Sequence, residues 1–331
     1  MPTELNSPTI IDQSANQAPL RHLSLSPSCT GQRLDKAIAD ILPEYSRSTI
    51  QRWLEQGDLL VNDKPAIGKH KALGNEQITL RIPQTAQTSA MPQAMDLDII
   101  YADEHLIIIN KPAGLVVHPG AGNHDGTLVN GLLHYAPELA QLPRAGLIHR
   151  IDKDTTGLLV IARNLTAHTA LSADMQARTI KREYLAVCNG VLLSGGTVDA
   201  PIDRHPHDRT KMAVCHRALV GIMVIDEDGI MSEETYGREA VTHYRVQTRY
   251  RAHSLIECTL ETGRTHQIRV HMAHVKHPLL GDPVYGKRPK LPKRPTADMM
   301  HQLANFKRQA LHARRLTLTH PATGERMSWE A

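Results

Sequence analysis

The sequence is poor in aromatic residues, with one phenylalanine, two tryptophans and eight tyrosines among 331 residues. Its four cysteines lie far apart and form no C-x-x-C pair, which argues against a zinc ribbon and against a disulfide framework. No apolar run approaches membrane-spanning length, and the first residues lack the basic start and apolar stretch of a signal peptide. We therefore expect a cytoplasmic protein with no membrane association.

Signals for a bound nucleotide or metal are also missing. The stretch GAGNHDG is rich in glycine, but it contains neither G-x-G-x-x-G nor G-K-[ST], and Pro119 precedes it. His271, His274 and His277 recur every three residues, yet this set lacks a fourth ligand. We expect no cofactor and no metal.

The length leaves room for two domains. Polar residues without apolar periodicity predict a flexible tail over 1–20. Residues 21–83 show apolar positions at helical spacing in two successive stretches, followed by the strand-like runs LLVNDKPA and QITLRI. Residues 84–95 have almost no charge and no period, which predicts a linker to a second domain over 96–331.

Positive charge is concentrated in one part of the second domain. From Arg264 to Arg294 there are eight lysines and arginines against one acid, Asp282. This composition is typical of a surface that faces a polyanion such as RNA, although a solvated basic face would look the same.

The segment Gly146–Arg163, GLIHRIDKDTTGLLVIAR, concentrates polar residues between two apolar runs. We expect two strands that flank one loop, with Gly157 providing a positive φ or a close backbone approach. A solvated hairpin tip would explain polar composition alone. Asp152 suggests a reactive carboxylate instead, because its apolar neighbours point it towards the core while Arg150 and Lys153 keep positive charge beside it.

Three motifs in this domain resemble those of the RluA-type pseudouridine synthases. HRIDKDTTGLLV resembles the signature HR-[LI]-D-K-x-T-[ST]-G, KREYLAV resembles R-x-Y-x-A, and RTHQIRVH resembles the third motif of the family. The resemblance implies that Asp152 is the essential aspartate and that Tyr184 stacks on the target base. It also implies that Ile268 floors the base and that Arg269 pairs with the catalytic carboxylate.

Further contacts with the substrate follow from the same resemblance. Arg150 corresponds to the arginine that fills the position vacated by a flipped uridine, and Arg264 and His266 belong to the third motif. NKPAGLVVHPG resembles a segment that borders the cleft, which nominates Lys111 and His118, with a structural role equally open. DRHPHDRTKM matches R-H-P-x-x-R-x-x-M and nominates Arg204 and Arg209, with His205 and Lys211 beside them.

The N-terminal unit resembles the S4 RNA-binding domain through RLDKAIADILPEYSRSTIQRWLEQGDLLVNDK. The resemblance implies RNA contacts at Arg33, Lys36, Arg47, Arg52 and Lys64. It predicts an α+β protein: a small helix–helix–strand domain, then a catalytic domain with a mixed, mostly antiparallel sheet and a central cleft.

The stretches VVHPGAGN, PRAGLIHR and HPLLGDPVYG resemble family members that modify uridines in the helix 69 stem-loop of large-subunit (23S) ribosomal RNA. This implies the large-subunit RNA, or the pre-ribosomal large subunit, as the partner. Nothing in the sequence demands a dimer, so we expect a monomer. Residues 217–239 form an acidic insertion, for which we expect a surface loop or hairpin that points away from the RNA.

Other functions stay open on sequence grounds. A synthase for another ribosomal site or for tRNA would carry the same motifs. A non-catalytic ribosome-assembly factor would explain the S4 unit, but it would not need Asp152, Tyr184 and Arg269 together. A glycoside hydrolase also breaks a bond at an anomeric carbon, but it normally uses two carboxylates, and Asp154 is two positions further along the loop.

Overall fold

The computed structural model describes residues 20–42, 45, 47–81, 90–120, 122–208, 210–215, 222–225, 231–234, 237–286 and 288–331. The chain divides into two compact units, Met1–Gln87 and Thr88–Ala331. The division lies inside the segment 84–95, while the predicted domain borders, 21–83 and 96–331, stay predictions. Among the described helices, none is both long and apolar enough to cross a membrane.

The first unit packs two helices against a small antiparallel sheet whose strand order is β1–β3–β2. Its apolar helix positions are buried together with the sheet, because Ile38 of the first helix and Ile50 of the second are fully buried. The helix–helix–strand arrangement predicted from periodicity is confirmed. Its elements are β1 (Leu20–Ser24), α1 (Leu34–Ile41), α2 (Arg47–Gln56), β2 (Leu59–Val61) and β3 (Gln77–Arg81).

The second unit is built on one nine-stranded sheet, with α3 and α4 packed on opposite faces of its β5–β6 part. Its elements are β4 (Ile99–Ala102), β5 (Leu106–Lys111), α3 (Leu128–Tyr135), β6 (Thr156–Ala162), α4 (Leu165–Gln176), β7 (Lys181–Asn189), β8 (Gly196–Asp199), β9 (Ile202–Arg204), β10 (Met212–Val214), β11 (Ile222–Ile225), β12 (Met231–Glu234), β13 (Val241–Arg249), β14 (His253–Leu260), α5 (Gln267–His274), α6 (Ala297–Asn305), β15 (Leu311–Thr319) and β16 (Arg326–Glu330).

The order of strands in this sheet is β4–β5–β6–β15–β7–β14–β13–β8, with β16 paired to the later part of β15. Every pairing is antiparallel except that of β15 with β6. The sheet is therefore mixed and mostly antiparallel, as predicted. Strand β15 joins the two halves, because it pairs with β6 on one side and with β7 on the other.

The apolar run of β5 explains why helices cover both faces here. Ile107 and Ile109 lie in a core with α3, whereas Leu106 and Ile108 lie in a second core with α4. Side chains alternate between the two faces of a strand, so a continuous apolar run fits a strand that is buried on both sides.

Two expectations about local structure fared differently. The strand expected before the central loop is missing among the described residues: a short 3₁₀ turn over Pro143–Gly146 is followed by one isolated bridge, Leu147 with Ile161. In the insertion, the backbones of β11 and β12 pair as an antiparallel hairpin, one of the two forms expected. The residues 226–230 between them lie outside the described part of the chain.

Candidate active site

The Asp152 loop is tied down on both sides of the carboxylate. Ile151 is buried in the core that also contains Tyr184 and Ile268. On the other side, the Thr155 N–H donates to the Asp152 carbonyl at 3.1 Å, and the buried Thr155 hydroxyl accepts a hydrogen bond from Gln309 Nε2 at 3.0 Å. These contacts fix the backbone of the loop while the Asp152 side chain stays 21% exposed.

Gly157 lets the loop enter the sheet. Its φ is 111°, and a Cβ at this position would lie 2.2 Å from the Ala313 carbonyl oxygen. Gly157 is paired with Ala313 in the parallel ladder between β6 and β15. Both properties expected of this glycine, the positive φ and the close backbone approach, are present.

Lys111 lies beneath the loop and not on the surface of the cleft. Its side chain is fully buried, and Nζ donates to the carbonyls of Pro112, Leu115 and Lys153, each at 2.8 Å. Burial lowers the pKa of this ammonium group to about 8, although the charges of Asp154 and Asp152 oppose the effect. Of the two roles left open for Lys111, this geometry favours the structural one, because all three donors are already used inside the protein.

Arg269 connects two carboxylates. It lies on α5 and is only 4% exposed. Nη1 donates to Asp152 Oδ2 at 2.9 Å, while Nε and Nη2 donate to the two oxygens of Asp282 at 2.7 and 3.0 Å. Burial alone would lower the pKa of Arg269, but the two carboxylates outweigh it and hold the pKa above its usual value.

Asp282 is the residue that sequence reasoning missed. Its side chain is fully buried, and besides Arg269 it accepts the backbone N–H groups of Val284 and Tyr285 at 2.8 and 3.0 Å. Burial would raise the pKa of Asp282, yet the hydrogen bonds from Arg269 and the backbone hold it below its usual value. The available signal was its position as the one acid in the basic run 264–294.

Tyr285 was also missed, and it links His266 to the same group. Its ring lies 5.1 Å from the guanidinium carbon of Arg269. Its hydroxyl accepts the Met212 N–H at 2.8 Å and lies 2.8 Å from His266 Nδ1. Burial lowers the pKa of His266, against the opposing charge of Asp152. When the Tyr285 hydroxyl donates a hydrogen bond to Nδ1 of a neutral His266, the ring proton of His266 is on Nε2. This Nε2 lies 3.8 Å from Asp152 Oδ1.

Tyr184 and Ile268 lie in one core cluster beside this group, 6% and 3% exposed. Burial is the main cause that raises the pKa of the Tyr184 hydroxyl; the Arg182 charge opposes the rise and the Asp152 charge adds to it. The structure thus brings together Asp152, Tyr184, Ile268, Arg269 and His266. Their functional roles stay predictions.

Next to this group is a cleft of about 1110 Å³, here named the arginine cleft. The predicted residues His118, Arg150 and Arg264 line it. His118 donates from Nδ1 to the Pro119 carbonyl at 2.8 Å, and Arg264 donates from Nε to the Glu239 carbonyl at 2.9 Å. Its six arginines are Arg144, Arg150, Arg178, Arg182, Arg238 and Arg264.

Two predictions about RNA contacts differ from the structure or lie outside it. Helix α5 belongs to the basic run that was expected to face RNA, but it is a core helix: Gln267 to Met272 are buried, and His271 hydrogen-bonds to the Thr242 hydroxyl and the Ala200 carbonyl. Arg204 is exposed at the end of β9. Arg209 lies outside the described residues.

In the first unit, the five predicted basic contacts are all exposed. Two of them share a buried acid, because Arg33 and Arg47 each donate to Asp35 at 2.9 Å. Burial would raise the pKa of Asp35, but the hydrogen bonds from Arg33, Arg47 and Gln51 lower it well below its usual range. Asp35 therefore orients two of the cations; Lys36, Arg52 and Lys64 complete the set.

Comparisons with known proteins agree with one another. Residues 105–274 match the family model described as RNA pseudouridylate synthase, and residues 32–78 match the S4 domain model. A protein of Xanthomonas campestris pv. campestris named ribosomal large subunit pseudouridine synthase D is 50% identical over 316 residues, which cover 95% of this chain and 90% of the relative. The Escherichia coli K12 protein of the same name is 50% identical over 312 residues, covering 93% and 89%.

A solved structure shares the fold. Human RNA Pseudouridylate Synthase Domain Containing 4 aligns with a TM-score of 0.53 and 28% identity, over 70% of this chain and 87% of the human chain.

Proposed function

This chain belongs to the RNA pseudouridylate synthase family, and we propose that it isomerises uridine to pseudouridine in large-subunit ribosomal RNA with Asp152 as the catalytic carboxylate. The observation that carries the proposal is the hydrogen bond by which Arg269 orients Asp152. Arg269 is itself hydrogen-bonded to the buried Asp282. A carboxylate that is partly exposed and fixed on one oxygen can present its other oxygen to a substrate.

The reaction breaks the bond between ribose C1′ and N1, turns the uracil and joins C1′ to C5. N1 gains a proton and C5 loses one, so atoms and electrons balance without an added reagent. Asp152 acts either as a nucleophile at the ribose or base, or as a base that removes a ribose proton. Both routes use the same partly exposed carboxylate.

The target base would lie against the side chains beside Asp152. We assign the two walls of the slot for the base to Tyr184 and Ile268, which come from a strand and a helix that share one core. A uridine in a folded stem must leave its stack to enter this slot, at a cost of roughly a few kcal/mol. Arg150, exposed two residues before Asp152, is positioned to fill the gap left in the stack.

The target RNA follows from the relatives. The two bacterial relatives are named for the ribosomal large subunit, and the chain covers about nine-tenths of each. Within that RNA we assign the helix 69 stem-loop, from the resemblance of VVHPGAGN, PRAGLIHR and HPLLGDPVYG. The S4 unit supplies a second RNA-binding surface. Every group to which we assign a role belongs to one chain, and we propose that the protein acts as a monomer.

The experiment maps pseudouridine by carbodiimide-dependent primer-extension stops on unmodified large-subunit RNA. It compares the wild type with Asp152→Ala, and with Asp154→Ala as a matched control in the same loop. We expect stops in the helix 69 loop with the wild type and with Asp154→Ala, and none with Asp152→Ala. Stops at other uridines would refute the target, whereas RNA binding without stops on large-subunit RNA, intact subunits or tRNA would favour an assembly factor.

A further inference from the structure

Two residues that line the arginine cleft each have a buried hydrogen-bond donor without an acceptor in the described part of the chain. Arg182 is 8% exposed and lines the cleft, and its Nε has no hydrogen-bond partner among the residues that the structure describes. The Nδ1 atom of His149 is likewise buried without a partner in the described part of the chain. Unsatisfied buried donors cost free energy, so their presence in a cleft calls for a ligand.

His149 is a donor and not an acceptor at this atom. Its Nε2 accepts the backbone N–H of Val160 at 3.3 Å, which places the ring proton of a neutral imidazole on Nδ1. Burial and the neighbouring charge of Arg182 lower the pKa of His149 to about 3, so the ring is neutral near pH 7. Both residues line the cleft, so a ligand that accepts hydrogen bonds is the kind that would pair with these donors.

The surrounding charge specifies an anion. Among the residues that line the cleft, six are arginines and one, Glu261, is an acid. Glu261 lies 3.5 Å from Arg178, which also pairs with Glu239 at 2.7 Å, so this arginine is neutralised within the protein. Among the residues that the structure describes, Arg182 forms no ion pair with an acid.

Position along the strand connects Arg182 to the candidate active site. Arg182 and Tyr184 are two residues apart on β7, so they lie on the same face, about 7 Å apart along the strand. Gly263 makes room for the guanidinium, because a Cβ at Gly263 would lie 2.6 Å from Arg182 Nη1. The arginine is therefore packed in place beside the proposed base slot.

We infer that Arg182 and His149 form an anion subsite that binds a backbone phosphate of the substrate RNA next to the flipped uridine. This inference rests on the proposed function, and it assigns to Arg182 a role in binding that is separate from the pair Asp152–Arg269. A phosphate here fixes the register of the strand, so that the next base enters the slot against Tyr184.

The test is a double-substitution cycle on RNA binding. A stem-loop RNA with the helix 69 sequence carries a neutral methylphosphonate at one of the three phosphates around the target uridine, one position at a time. Binding is measured with Arg182→Gln and with unchanged Arg182, both in an Asp152→Asn background that prevents turnover. We expect Arg182→Gln alone, and the methylphosphonate at the bound phosphate alone, each to weaken binding roughly tenfold, the size of one charge-assisted contact. When both changes are present at that phosphate, the loss of affinity should be no larger than for either change alone.

Salt dependence provides a readout that a purely structural role would not change. On full-length unmodified large-subunit RNA, Arg182→Gln reduces the slope of log affinity against log salt by about 0.7 to 0.9, the value for one lost phosphate contact. Arg245→Gln is the matched control, because Arg245 is 73% exposed and pairs with Glu257 outside the cleft; its slope stays close to that of the wild type. Gly263→Ala keeps the charge but displaces the guanidinium, so it weakens binding as well.

Two results would overturn the subsite: an unchanged salt slope in a folded Arg182→Gln protein, or losses that add at all three phosphates. Thermal unfolding of each variant establishes that it is folded. Failure of the proposed function is a different result, because it means that the wild type makes no pseudouridine, which the mapping experiment measures independently.

Discussion

Replacing Asp282 by asparagine tests whether the buried acid organises the candidate active site. The substitution keeps the size of the side chain but removes the charge that holds Arg269. The new amide nitrogen would face the Arg269 Nε, and since both are donors, no hydrogen bond could form between them. The remaining oxygen would still accept the N–H groups of Val284 and Tyr285. Arg269 would keep only one carboxylate partner, Asp152.

The expected loss of stability follows from the burial of Arg269 and Asp282. Arg269 is 4% exposed at its side chain and Asp282 is fully buried, so removal of one partner leaves a buried charge less well compensated. We expect the free energy of unfolding to fall by about 3 kcal/mol, the lower end of the range for a broken buried ion pair. We also expect kcat to fall about 100-fold, because a displaced guanidinium no longer fixes Asp152. KM should change little.

The assays are urea unfolding and the initial rate of pseudouridine formation under saturating RNA. Asp298→Asn is the control, because Asp298 is exposed in the first turn of α6 and its loss should cost less than about 1 kcal/mol. A folded Asp282→Asn protein with a kcat close to that of the wild type would refute the reasoning.

Acid pH gives a second measure of the same residue. The pKa of Asp282 is lower in the folded protein than in the unfolded chain, because Arg269 outweighs the effect of burial. Its stabilisation is therefore complete above the unfolded carboxyl pKa of about 3.9 and is lost as the pH falls through the lower folded value. The difference in stability between the wild type and Asp282→Asn should shrink over that range.

Three further predictions concern the frame around the site. Gly157→Ala should destabilise the protein by roughly 3 kcal/mol in urea unfolding, because the new Cβ meets the Ala313 carbonyl; a stable variant would contradict the close approach. Lys111→Met should lower the free energy of unfolding by about 3 kcal/mol and should lower kcat, because it leaves three carbonyls without their donor. Unchanged activity would show that the Asp152 loop does not depend on Lys111. The pKa of Asp103 is about 2, because hydrogen bonds outweigh burial, so about 2 kcal/mol of stability should be lost as the pH falls from 4 to 2, and Asp103→Asn should show a flatter acid profile.

Local patterns predicted much of the fold. The two helices and the two following strands of the first unit were predicted from short-range periodicity, which depends only on neighbouring residues. The strand expected before the Asp152 loop is absent, because the preceding 3₁₀ turn sets the direction of the chain and an apolar run alone does not specify a strand. The basic composition around α5 predicted a surface that faces RNA, but the basic residues Arg269 and His271 of this helix make contacts inside the protein.

The candidate site was predictable only where a motif carried it. Asp152 and Arg269 are 117 residues apart in sequence, and only the family resemblance predicted their contact. The sequence analysis assigned no role to Asp282 or Tyr285. Their positions depend on how the loop after α5 folds back on that helix. Arg182 received no role from the sequence beyond its place in the motif KREYLAV, because its unpaired Nε is a property of three-dimensional packing.

The measurement that tests the central claim most directly is release of tritium from large-subunit RNA labelled at C5 of uridine. Formation of the bond from C1′ to C5 displaces the hydrogen at C5, so each conversion releases one label. We predict that the wild type and Asp154→Asn release label from the target uridine at similar rates, and that a folded Asp152→Asn protein still binds the RNA but releases none. Release by Asp152→Asn at the wild-type rate would contradict the account.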